Sequence, residues 1–199
     1  MVQRYDRRPL PDGSTQRLHQ EDTCQILGIP SARKYTQDGG PGFGEVFRVL
    51  RRFTVPAAVQ QQELVRRMLF NLLIGNQDAH GKNVSLLHTD GQVVLSPAYD
   101  LVCTEAYDGL SERFAMPIGK AWQWRELNDA ALDDFQADTG VALRRQAGVL
   151  RRFIDKAAEA VAQEAAALQR EALPESHATL AQIARITQRH ATQLKAWLI

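Results

Sequence analysis

The stretch QQQELVRRMLFNLLIGN, residues 60 to 76, constrains this chain most. Leu64, Val65, Met68, Leu69, Leu72 and Leu73 recur at i, i+1, i+4 and i+5, which predicts one helix with a wide buried stripe. Immediately after it the period changes. NVSLL and QVVLS are β-branched and apolar runs separated by HTDG, and Asp90-Gly91 supplies turn chemistry, so residues 83 to 96 read as a hairpin. A buried helix that delivers the chain into a short hairpin leaves little freedom for the polar residues caught between them.

The rest of the chain is expected to be helical. VQRYDRR reads as the end of a strand whose partners are missing, closed by the turn PLPDGS. QEDTCQILGIP reads as a short helix with acidic residues near its start and Gly28 and Pro30 as its stop. GEVFRVLRRF continues at helical spacing, and Pro56 opens the long helix. Helices are expected at 125 to 137 and 142 to 171, broken at Gly140, with a last helix at 177 to 198 whose stripe includes Ile186, His190, Leu194 and Trp197. The fold class is therefore mainly α with one small β-hairpin.

With 199 residues and 44% hydrophobic content the chain can bury a core. A net charge of +1 lacks the basic excess of a phosphate-backbone binder, so direct nucleic-acid binding is not expected. No apolar run approaches the ~20 residues that span a bilayer, and the polar start has no signal-peptide core, so no membrane contact and a cytoplasmic location are expected. Cys24 and Cys103 lack metal-ligand spacing and read as free thiols.

Chemistry concentrates at the open end of the hairpin, where GNQDAHGKN precedes it and SPAYD follows it. A hairpin returns the chain to its start, so Asp78, His80, Lys82, Asn83 and Asp100 are expected to converge. Two carboxylates and a carboxamide suffice for phosphoryl transfer: one carboxylate orients and deprotonates the attacking hydroxyl, while oxygen ligands hold Mg²⁺ against the phosphates of ATP. Asp78 and Asn83 are five residues apart, the spacing between catalytic Asp and metal-binding Asn in protein kinases, and Asp100 follows the hairpin as the later metal-site Asp does. A bare D-x-x-x-x-N is common by chance; the helix, hairpin and terminal Asp around it make it specific. Structural readings stand beside these: His80 as a loop-holding ring, Lys82 as a solvated lysine, Asp6 as a surface ion pair, Trp122 and Trp124 as packing, and His190 as a hydrogen-bonded core residue.

YDRR, LHQEDTCQILGIPSARKYTQDGGPGFGEVFRVL, NLLIGNQDAHGKNVSLL and LSPAYDLV together resemble the C-terminal lobe of HipA-like serine/threonine protein kinase toxins. The resemblance covers residues 4 to about 105 closely and the helical remainder in general character. The family's G-x-x-D-x-H-x-K-N and P-x-Y-D motifs stand intact as Gly75 to Asn83 and Pro97 to Asp100. The resemblance implies a kinase C-lobe-like fold, with residues 1 to 8 as a remnant of the hinge strand, 9 to 122 as catalytic core and 123 to 199 as C-terminal helices. It implies Asp78 as catalytic base and Asn83 and Asp100 as magnesium ligands, with Asp78 also beside the nucleotide and His80 and Lys82 supporting the loop or the phosphates. It further implies MgATP as cofactor, a HipB-like antitoxin as partner and a translation-related protein as substrate.

The stretch DGGPGFGEV imitates a kinase glycine-rich loop, but after Lys34 there is no lysine until Lys82, and Asp78 follows Gly44 too soon for an N-terminal lobe. It is expected to be a loop and helix start. The N-terminal kinase lobe is then expected to be absent from these residues. Either a separate polypeptide supplies it, or the chain is a non-catalytic helical module that binds an antitoxin or another subunit. A metal-dependent hydrolase on Asp78, His80 and Asp100 is disfavoured, because the carboxamide suits Mg²⁺ better than a softer metal.

Overall fold

The computed structural model describes residues 4 to 171 and 173 to 199, so Val2 and Gln3 of the expected first strand lie outside the described residues. The chain divides into two compact units, one formed by the residues up to Glu63 together with His80–Asp100, the other by Leu64–Ala79 together with Leu101–Ile199.

In the first unit, β1 (Arg7–Pro9) and β2 (Thr15–Arg17) pair antiparallel with Arg7 opposite Arg17. The strand expected to lack partners therefore has one close in sequence. The turn between them is closed by Asp12, whose Oδ1 accepts from the Ser14 amide at 2.9 Å and the Ser14 hydroxyl at 2.6 Å, a local carboxylate-to-backbone bond that favours turns. β3 (His19–Asp22), β4 (Ser85–Thr89) and β5 (Gln92–Leu95) form an antiparallel sheet in the order β3-β4-β5. The expected hairpin is present, and it has a third strand where a helix was expected to begin. Only α1 (Thr23–Ile26) of that helix forms, opened by a reciprocal cap: Asp22 Oδ1 accepts from the Gln25 amide, and Gln25 Oε1 accepts from the Asp22 amide, both at 2.9 Å. α2 (Phe43–Phe53) starts at Gly42, whose amide donates to Glu45 Oε2 at 3.0 Å. It buries Phe43, Val46, Phe47, Val49 and Leu50, each worth roughly 1.5–3 kcal/mol of transfer free energy.

α3 (Ala57–Leu73) follows and buries the six stripe residues expected of it. In the second unit, α4 (Asp129–Thr139) is capped by Asn128 Oδ1 on the Ala131 amide at 3.1 Å and ends at Gly140 with φ +75°. α5 (Ala147–Glu171) and α6 (Pro174–Trp197) pack as the principal helix pair, burying Leu150, Ile154 and Ala158 on one and Ile186, Ala191 and Leu194 on the other. Proline in the first turn of α6 starts that helix three residues ahead of the expected position. The chain is thus mainly helical with small sheets, a C-lobe-like domain as expected. Among the described residues no helix is long and apolar enough to cross a membrane. Cys24 and Cys103 are free, and burial pushes both thiols up from their ordinary value.

Candidate active site

The polar segment begins where α3 stops. Gly75 adopts φ +69°, and a Cβ there would press on Glu105 and Ile186 at 3.0 and 3.1 Å. Asn76 then reaches in both directions: its Nδ2 donates to Asn71 Oδ1 at 2.8 Å and its Oδ1 accepts from the Asp78 amide at 3.1 Å. Gln77 is held by its own amide on Thr104 Oγ1 at 2.8 Å and by its carbonyl, which accepts from Ala115 at 3.0 Å. The backbone of Asp78 is therefore fixed on its N-terminal side while its side chain is exposed.

In the first unit, the residues from His80 to Asn83 form one tight turn. The His80 amide donates to Asn83 Oδ1 and the Asn83 amide donates to the His80 carbonyl, each at 2.9 Å. The Asn83 carboxamide is thereby oriented, and its Nδ2 donates to Asp100 Oδ2 at 2.5 Å across the base of the hairpin. Asp100 has φ +57°, a left-handed backbone that an L-residue adopts at a cost. His80 is buried and meets the Tyr35 ring edge-on, centroids 5.3 Å apart. Lys82 Nζ lies 2.7 Å from Asp22 Oδ2, the oxygen that the α1 cap leaves over. Tyr99 closes the arrangement: its hydroxyl donates to the Lys82 carbonyl and shares a 2.5 Å bond with Ser85 Oγ. Burial pushes the Tyr99 phenol up to about 12.

The glycine-rich stretch enters here as scaffold. A Cβ on Gly81 would overlap the Pro41 ring, and one on Gly40 would overlap the Arg33 carbonyl. The bare Cα of Gly81 allows the ring of buried Pro41 to pack against the 81–83 turn, and Gly40 lets the loop pass close to the Arg33 and Tyr35 carbonyls.

The structure therefore brings Asn83 and Asp100 together, with the His80 amide in the same network. It places Lys82 on Asp22 and puts Asp78 in the other unit, five residues ahead of Asn83 in the chain. Asn83 turns its amide nitrogen to Asp100 and its carboxamide oxygen to the His80 amide; a carboxylate and a carboxamide oxygen are the hard oxygen donors that Mg²⁺ takes. Asp6 lies between Arg4 and Arg7 at 2.9 and 2.5 Å, the ion pair of the structural reading. His190 is buried, stacks on Trp124 with centroids 4.0 Å apart, and places Nε2 3.1 Å from Glu105 Oε2. Sequence reasoning missed Asp22 and Tyr99 as supports. The D-x-x-Q cap was a usable signal for Asp22, whereas its bond to Lys82 spans 60 residues and has no local signature.

A family model described as HipA-like C-terminal domain matches residues 1–172. Y4mE of Sinorhizobium fredii, a protein named as a candidate kinase, is 42% identical over 162 residues, which are 81% of this chain and 39% of the relative. The serine/threonine-protein kinase toxin HipA of Shewanella oneidensis is 30% identical over 174 residues, 81% of this chain and 40% of the relative. Among solved structures, a chain of the Shewanella oneidensis complex of HipA, HipB and operator DNA matches with a TM-score of 0.79 and 28% identity, covering 99% of this chain and 47% of that one. This chain spans less than half the length of each of these relatives.

Proposed function

The chain belongs to the HipA-like C-terminal domain family, and from that premise we propose that it serves as the C-terminal lobe of a serine/threonine protein kinase, contributing the base and the metal ligands of phosphoryl transfer. The observation that carries this reading is the pairing of Asn83 with Asp100 across the base of the hairpin. Asp100 and Asn83 would hold Mg²⁺ by their oxygens. When bound, MgATP supplies the γ-phosphoryl group and neutralises charge developing on its oxygens. Asp78 orients the protein hydroxyl and takes its proton; its exposed side chain on a fixed backbone suits that work. Lys82, paired to Asp22, holds the loop to the start of α1. His80 supports the turn through its amide on Asn83 and its ring contact with Tyr35.

The covering loop and phosphate-binding lysine of such a kinase are assigned to a second segment, in the same or a separate polypeptide. The Shewanella oneidensis relative occurs in a complex with HipB and operator DNA. An antitoxin of that kind as partner, and a protein hydroxyl as acceptor, belong to the same proposal.

Thermal unfolding with and without MgATP tests it. At ten times Kd, a ligand that binds only the folded state adds about 1.4 kcal/mol, which for a chain of this size raises Tm by roughly 3–6 °C. The rise should vanish with EDTA and in Asp100→Ala. No rise at millimolar MgATP would sink the nucleotide reading and leave the non-catalytic module in its place.

A further inference from the structure

Away from the hairpin base, at the far end of the β3–β4 pair, three side chains of the metal-ligating type meet. His19 lies directly opposite His88 in the strand register, and Glu21 shares the face of His19 because side chains alternate along a strand. The two imidazoles sit with centroids 4.8 Å apart. Both His19 Nε2 and His88 Nε2 lie 3.4 Å from Glu21 Oε2, and the three donor atoms all fall within 4.8 Å of one another.

We propose that His19, Glu21 and His88 form a surface site for a borderline divalent cation, Zn²⁺ in the first instance. The geometry carries the argument. Zinc bound tetrahedrally at roughly 2.0–2.1 Å from nitrogen and oxygen donors needs those donors about 3.4 Å apart, the separation of each imidazole nitrogen from the carboxylate oxygen. The donor set also selects the ion: two imidazoles and one carboxylate suit zinc, whereas Mg²⁺ prefers oxygen alone. The three side chains are 39–65% exposed, so an ion can enter and keep water in its remaining position. The backbone already sets the ligands in place, with β3 and β4 hydrogen-bonded between His19–His88 at one end and Asp22–Ser85 at the other. A bound ion would fasten the outer strand at the end opposite the Lys82–Asp22 ion pair.

Calorimetric titration of ZnCl₂ into the full chain, with MgCl₂ in parallel, tests the site. The expected result is one zinc ion per chain, no comparable magnesium binding, at least a tenfold loss of zinc affinity in His19→Ala, His88→Ala and Glu21→Gln, and a zinc-dependent rise in Tm lost in the His19→Ala/His88→Ala double variant. His88→Gln repeats the test with a polar side chain if the alanine variants lose their far-ultraviolet dichroism. Absence of zinc uptake, or uptake undiminished in the double variant or in His88→Gln, overturns the proposal. Affinity unchanged in Glu21→Gln overturns the three-ligand site.

Discussion

Gly81→Ala offers the sharpest perturbation of the loop. Its new methyl group would overlap the ring of buried Pro41, which is rigid and cannot rotate aside. Either the 81–83 turn or the GGPG loop must move, and overpacking of this kind costs about 1–3 kcal/mol. For a chain of this size that lowers Tm by roughly 2–12 °C. The mechanism makes a stronger demand than destabilisation alone. Pro41→Ala removes the ring carbons Cγ and Cδ that the new methyl would meet, so in that background Gly81→Ala should cost little. Urea unfolding of the wild type, both single variants and the double variant yields the coupling energy, expected at about 0.5–3 kcal/mol for residues in contact. Additive single effects would refute the steric account.

Alkaline titration of tyrosine absorbance after a rapid pH jump should show one of the four tyrosines ionising near pH 12, and Tyr99→Phe should remove that step. Since folding raises this phenol, its contribution is complete below pH ~10 and lost as pH climbs towards 12; four tyrosines all titrating near 10 would contradict it. Burial pushes the Glu105 carboxyl up, but His190 and Arg189 outweigh it and hold it below the ordinary 4.5. A lowered acid stabilises above its unfolded value, so stability should fall as pH drops from about 4.5 through the lowered value. Urea midpoints across acid pH should show a shallower fall in Glu105→Gln, and identical slopes would refute the assignment.

Local periodicity made α3 and the β4–β5 hairpin legible, because both signals repeat within a few residues. The third strand was not. HQED has no β-branched residue, and its partner, Ser85–His88, lies more than 60 residues away, so cross-strand pairing overrides a local preference for helix. The same distance hid the fit of Gly81 to Pro41 and the bond from Lys82 to Asp22. Asn83 and Asp100 were legible as neighbours, since a hairpin joins them by construction. His19 and His88 carry no such mark: their meeting depends on the register of a strand that was itself unforeseen.

Two aspartates have left-handed backbones, and they differ in what accounts for it. Asp90 sits at φ +50° in the hairpin turn, with Gly91 at φ +74° beside it, a conformation that the tight turn itself demands. Asp100 at φ +57° lies outside any hairpin turn. Glycine at that position would take the same conformation without steric cost and would forfeit the carboxylate. Backbone conformation taken by itself therefore argues against the residue that is there. Asp100 places thermodynamic and chemical fitness in opposition at one position, so a search for hardier versions of this fold would drift towards sequences that have lost the carboxylate facing Asn83.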